Sequence, residues 1–91
     1  MTKEQFSKIV SSIPHQPGCY KYYDEHSELL YVGKAKDLRK RVSSYFNKTV
    51  DNYKTRRLVT LINHIEFTVT NNEHDAFLLE NSLIKHYQQR F

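Results

Sequence analysis

The 91-residue sequence contains one cysteine, two glycines, two prolines and no tryptophan. A lone cysteine excludes an internal disulfide framework and a cysteine-based zinc site. So few glycines and prolines, with no low-complexity stretch, exclude a linker or a disordered tail. No apolar run approaches the roughly 20 residues of a membrane-spanning helix, so no membrane partner is expected. The opening residues Met1-Thr2-Lys3-Glu4-Gln5 lack the apolar stretch of a secretory signal, and a cytoplasmic protein is expected. His15, His26, His64, His74 and His86 fall at no metal-ligand spacing, and no glycine-rich phosphate loop is present. What remains is enough for one domain spanning residues 1–91, its 38% hydrophobic content supporting a single compact pair of layers.

The charge is unevenly spread. Residues 31–60 hold nine bases and two acids, a net of +7, whereas the rest of the chain carries a net of −3. A basic middle third on a mildly acidic body is the electrostatic footprint of a polyanion partner, although a solvated basic face has the same composition.

Thr2 followed by Gln5 fits a capping box, predicting a helix over residues 3–12 that stops at Ile13-Pro14. The runs Cys19–Tyr23 and Leu29–Val32 are rich in strand-forming residues, are joined by a polar loop, and the second closes at Gly33. Helical spacing of Ala35, Leu38, Val42 and Phe46 predicts a helix over 34–47, and Leu58, Leu61 and Ile62 predict another over 53–63. Alternation over 65–70 predicts a third strand, and a final helix over 72–89 is capped by Asn72 or Thr70. The order α-β-β-α-α-β-α implies an α/β (α+β) fold, a small three-stranded, mostly antiparallel sheet flanked by helices.

On the wheel of the last helix, Ala76, Leu79, Leu83, Ile84 and Tyr87 form an apolar arc, and Glu80 falls inside it. A carboxylate there costs several kcal/mol unless a buried Arg or Lys, a proton or a metal ion compensates it. A hard cation such as Mg²⁺ prefers oxygen ligands and keeps several waters, so one carboxylate suffices when phosphate supplies the rest. In the helix predicted over 34–47, Lys34, Arg41 and Tyr45 share one side at the edge of the apolar stripe. Tyr20 and Tyr31 lie on strands expected to be neighbours. Their phenols, poor bases at neutral pH alone, can relay a proton beside cations.

These residues carry a resemblance. Gly18-Cys19-Tyr20 followed by Tyr31-Val32-Gly33 resembles the paired motif of the GIY-YIG nucleases. The string from Tyr31 to Val42, with Ser44-Tyr45-Phe46, Lys54–Arg57 and Leu78–Lys85, is similar to the UvrC-type subgroup, the N-terminal nuclease domain of a bacterial nucleotide-excision-repair endonuclease. The resemblance covers about residues 13–91 and implies hydrolysis of a DNA phosphodiester on the 3′ side of a lesion. It implies one divalent cation, Mg²⁺ or Mn²⁺, with Glu80 as its single protein ligand and Tyr31 as the general base. Tyr20, Lys34, Arg41 and Tyr45 are implied to surround the scissile phosphate. Lys36, Arg39, Lys40, Lys54, Arg56 and Arg57, at no spacing that reads base edges, are expected to contact the DNA backbone, with binding steep in salt.

The implied partners are double-stranded damaged DNA and a UvrB-type loading protein that binds regions outside this segment. The chain is expected to be a monomer and the N-terminal fragment of a longer protein. Cys19 stands where the subgroup usually has isoleucine or valine. Gln89 stands where many relatives have proline, which predicts a longer last helix. The subgroup's asparagine would follow Phe91, beyond this chain. Two alternatives stay open: a catalytically silent DNA-binding or scaffold module, and the GIY-YIG domain of a different repair nuclease.

Overall fold

The computed structural model describes residues 1–47 and 52–91, so Lys48 and Asp51 of the basic segment lie outside the described residues. The elements are α1 (Lys3–Ser7), a 3-10 turn (Val10–Ser12), β1 (Gly18–Tyr23), β2 (Leu29–Ala35), α2 (Leu38–Ser43), α3 (Tyr53–Leu61), β3 (His64–Val69) and α4 (Glu73–His86). The strands form one antiparallel sheet in the order β2-β1-β3. Class and element order are those expected from the sequence. Among the described residues, no helix is long and apolar enough to cross a membrane.

Tyr20 lies opposite Gly33 on β2 and Phe67 on β3, and Tyr22 lies opposite Tyr31 and Ile65. Strand periodicity sends Tyr20 and Tyr22 to one face, where they pack with Phe6, Leu38, Val42, Phe46, Leu58 and Ile62. The other face sends Cys19 and Val32 toward α4, and the Cys19 thiol donates to the Ala76 carbonyl at 3.1 Å. Helices therefore cover both faces, with the main core on the side of α1, α2 and α3.

Several boundaries differ from the sequence reading. The first helix ends at Ser7 and a 3-10 turn follows. Ser7 and Ser12 donate their hydroxyls to the carbonyls of Glu4 and Ile9, competing with continued helix. The second strand does not close at Gly33; Gly33, Lys34 and Ala35 stay in the ladder opposite Tyr20, Cys19 and Gly18. Ala35 consequently belongs to β2, and α2 begins only after Asp37, whose side chain accepts the Lys40 N–H. Asn72, rather than Thr70, caps α4 by accepting the Asp75 N–H. The last helix also stops sooner than 89, Tyr87 being extended.

In the apolar arc of α4 only Ala76 is buried; Leu79 and Leu83 are half-buried, while Ile84 and Tyr87 are exposed. The helix lies over β1 and β2, and close approach at the small Ala76 seats it there with a shallow contact.

The chain's first residue is also fixed. The Met1 ammonium donates to the carbonyls of Val59 (2.9 Å) and Ile62 (2.6 Å) at the end of α3, placing positive charge where a helix leaves carbonyls unpaired.

Gly33 is required by close approach. A Cβ there would overlap the Tyr20 ring and hydroxyl, which cross directly over it. We predict that Gly33→Ala destabilises the fold by about 1–3 kcal/mol, the usual cost of forcing atoms into a filled core, measurable by urea unfolding.

Candidate active site

The site is built around Tyr20, whose side chain is almost wholly buried. Its hydroxyl lies 2.9 Å from that of Tyr45, in the turn after α2, and accepts from Arg41 Nε at 3.3 Å. Were Tyr20 also to accept from Tyr45, its own buried proton would lack a partner; donation to Tyr45 satisfies all three groups. Tyr45 is then free to turn its own O–H outward. The Arg41 guanidinium also packs over the Tyr45 ring, 5.3 Å from its centroid.

Tyr31 completes the nest, its ring 6.3 Å from that of Tyr20. Tyr20 and Tyr31 thus sit on neighbouring strands, as the sequence implies. Burial pushes both phenols above their ordinary range, and neighbouring Tyr45 adds to both shifts. Arg41 opposes the rise in each case, and the Glu80 carboxylate adds to it at Tyr31. Arg41 itself is held more firmly protonated, chiefly by Tyr20.

Glu80 projects from α4 and is half-buried. Burial first, and then the charge of Glu80, raises the Cys19 thiol to about 11, leaving that thiol protonated and unreactive at neutral pH. One carboxylate therefore acts on Cys19 on the α4 face and on Tyr31, whose ring packs on the opposite face. Among the described residues Glu80 has no ion-pair partner, so the buried Arg or Lys that could compensate it is not found there.

Lys34, Lys36, Lys40 and Arg41 line one open groove of about 490 Å³. Among the described residues the only acid lining it, Asp37, accepts the Lys40 N–H and pairs with His15 at 3.0 Å. The Lys40 bond holds its carboxyl below the usual range. Lys34 and Arg41 meet here from a strand and a helix rather than from one shared helix, and Lys36 and Lys40 join them.

Lys54, Arg56 and Arg57 are exposed along α3, outside this groove. Arg39 has a different task from the other bases: Nε donates to the Ile13 carbonyl at 2.6 Å and the fork to that of Ser11 at 3.1 Å, tying α2 to the 3-10 turn.

Tyr22 was not singled out by the sequence, although period two places it beside Tyr20. It is fully buried, its ring lies edge-on to Tyr45 at 5.2 Å, and its hydroxyl has no hydrogen-bond partner among the described residues.

Comparison with known proteins gives a consistent set of relatives. The family profile of the UvrC-like GIY-YIG domain matches residues 16–91. "UvrABC system protein C" of Porphyromonas gingivalis is 53% identical over 91 residues, covering all of this chain and 15% of that protein. The protein of the same name from Methanococcus maripaludis is 54% identical over 82 residues, 90% of this chain and 16% of its own length. The chain thus spans only a small part of these curated relatives. The crystal structure of the GIY-YIG N-terminal endonuclease domain of UvrC from Thermotoga maritima superposes with a TM-score of 0.82 at 34% identity. It covers 96% of this chain and 94% of that one, and it was solved with magnesium, its catalytic divalent cation. Three tyrosine-to-phenylalanine point mutants and one asparagine-to-alanine point mutant of it were also solved with the cation bound.

Removing a buried hydroxyl that has no partner should help the fold. Tyr22→Phe is predicted to leave the tyrosine packing intact and to raise stability by about 1 kcal/mol, read as a higher urea midpoint with an unchanged slope.

Proposed function

This chain belongs to the UvrC-like GIY-YIG domain family, and from that premise we propose that it is a divalent-metal-dependent endonuclease domain that hydrolyses a DNA phosphodiester on the 3′ side of a lesion during nucleotide excision repair. The observation that carries the reading is the juxtaposition of a hydrogen-bonded Arg41–Tyr20–Tyr45 chain, the Tyr31 phenol and the unpaired Glu80 carboxylate. The substrate is damaged duplex DNA, delivered by a UvrB-type protein that contacts other regions of the longer protein.

Glu80 fits the metal ligand. It is a hard oxygen donor without a cation partner among the described residues, and no three His, Cys, Asp or Glu side chains cluster there as an alternative site. Waters and phosphate oxygens complete the shell of a lone-carboxylate site. When bound, Mg²⁺ or Mn²⁺ supplies Lewis-acid charge to the phosphate and offsets the Glu80 charge that raises Tyr31.

The chain's own residues then position and stabilise. Arg41 presents its remaining fork to phosphate oxygens, and Lys34 adds a compact positive charge. Tyr45, its own O–H freed by the proton it accepts from Tyr20, donates its hydroxyl to the same phosphate. Tyr31, in its phenolate form, takes the proton of the attacking water as the phosphorus–oxygen bond to the 3′ oxygen breaks and that leaving oxygen takes a proton from solvent. Together these groups meet the negative charge that grows as the phosphorus gains its incoming oxygen. Lys36 and Lys40 extend the contact along the groove, and Lys54, Arg56 and Arg57 hold more of the DNA backbone, without reading sequence. Arg39, its guanidinium engaged on Ile13 and Ser11, supports that surface by fixing α2.

The direct test is nicking of a lesion-bearing duplex with Mg²⁺ or Mn²⁺ and the loading protein present. Glu80→Ala should fold normally and lose at least about 100-fold in rate, as expected when such transition-state stabilisation is removed. Equal cutting by both proteins would remove the metal role, and DNA binding without cutting by the wild type would favour a silent binding module.

Tyr31 adds a pH dependence. Because its phenol is raised above the usual value near 10, the base form grows as pH rises across the neutral and alkaline range. Wild-type cutting should therefore accelerate from pH 7 to 9, while Tyr31→Phe cuts about 100-fold or more slowly with a flat profile. An unchanged rate and slope in this variant would exclude the phenol as base.

A further inference from the structure

The segment after α4 binds the outer edge of β2 on both sides of Tyr31. Gln89 Oε1 accepts the Val32 N–H at 3.0 Å, and the Phe91 N–H donates to the Leu30 carbonyl at 2.8 Å. In an antiparallel strand, the carbonyl of Leu30 and the N–H of Val32 point the same way, here away from β1, so these bonds bracket Tyr31. Arg90, between them in sequence, pairs with the buried carboxylate of Asp24 at 3.4 Å, and the Phe91 side chain packs against the core. Three consecutive residues thus hold the β1–β2 hairpin at three separate places.

The location of this clamp matters. The ladder between β1 and β2 is irregular at this point: Tyr22 pairs with Tyr31 but Tyr23 pairs with Leu29, leaving Leu30 as an extra residue. A bulge interrupts the regular bonds that would otherwise fix the direction of the neighbouring side chain. The tail supplies bonds on the opposite edge at the same place.

We infer that Gln89 is a positioning residue for Tyr31, its side-chain carbonyl standing in for a neighbouring strand and fixing the backbone from which the phenol projects. The inference rests on the reading of Tyr31 as the base. Gln89 touches no reacting atom; it acts through the Val32 amide. Side-chain carbonyl, rather than bulk, is what the role requires.

The test compares Gln89→Leu, which keeps the size and loses the acceptor, with Gln89→Glu, which keeps an acceptor at the same reach. In the leucine variant, exchange of the Val32 amide should quicken at least tenfold and the Tyr31 ring resonances should move. Its kcat for nicking should fall about tenfold or more, as for a reacting group displaced by a fraction of an ångström, with KM for DNA unchanged. The glutamate variant should keep the amide protection and ring resonances of the wild type and recover most of kcat. A leucine variant with an open Val32 amide but unmoved Tyr31 resonances overturns the inference, as does an equal loss of kcat in both variants. A wild type that fails to cut, with the ring resonances moving as expected, refutes the nuclease reading and leaves the positioning role standing.

Discussion

The structure depends on the Tyr20 ring lying across Gly33. That contact needs a position on β2 without a Cβ, directly opposite Tyr20, and the antiparallel register provides it. Once seated, the buried hydroxyl needs partners, and Arg41 and Tyr45 supply them. The requirement to satisfy one polar atom thus draws α2 and the turn after it onto the sheet. Arg41 donates inward to that oxygen, and a Tyr45 that accepts the Tyr20 proton keeps its own O–H free. A packing constraint in the core becomes an ordered row of donors at the surface.

Glu80 enters from the other layer. The α4 helix is held by a small buried contact at Ala76 and by the Cys19 thiol, so its flank remains open where the carboxylate projects. Tyr31 and Cys19 both feel that charge, each shifted upward after the larger effect of burial. The Tyr31 phenol is raised beside this carboxylate, while Arg41 opposes the rise.

Much of this was legible in the sequence, and the failures have physical causes. Aromatic and aliphatic runs located β1 and β2, and alternation located β3. The helical wheel placed Glu80 inside the apolar arc and made that arc look deeper than it is: a sheet of three strands leaves Ile84 and Tyr87 uncovered. Gly33 read as a strand end because glycine usually punctuates; here it continues the ladder so that an aromatic ring can cross it. Lys34 and Arg41 were expected to meet through a common helix, yet they meet because a strand and a capped helix converge. Arg39 is indistinguishable from its basic neighbours by composition, and only the tertiary structure reveals the carbonyls it holds. Gln89 stood out only as a replacement for proline that predicted a longer helix, since nothing local distinguishes an amide that imitates a strand.

The contact made by the Met1 ammonium has a practical bearing on how the protein is handled. Its α-amino group sits on the last carbonyls of α3, so any leader, purification tag or formyl group joined there exchanges a charged, multiply donating cap for a neutral amide.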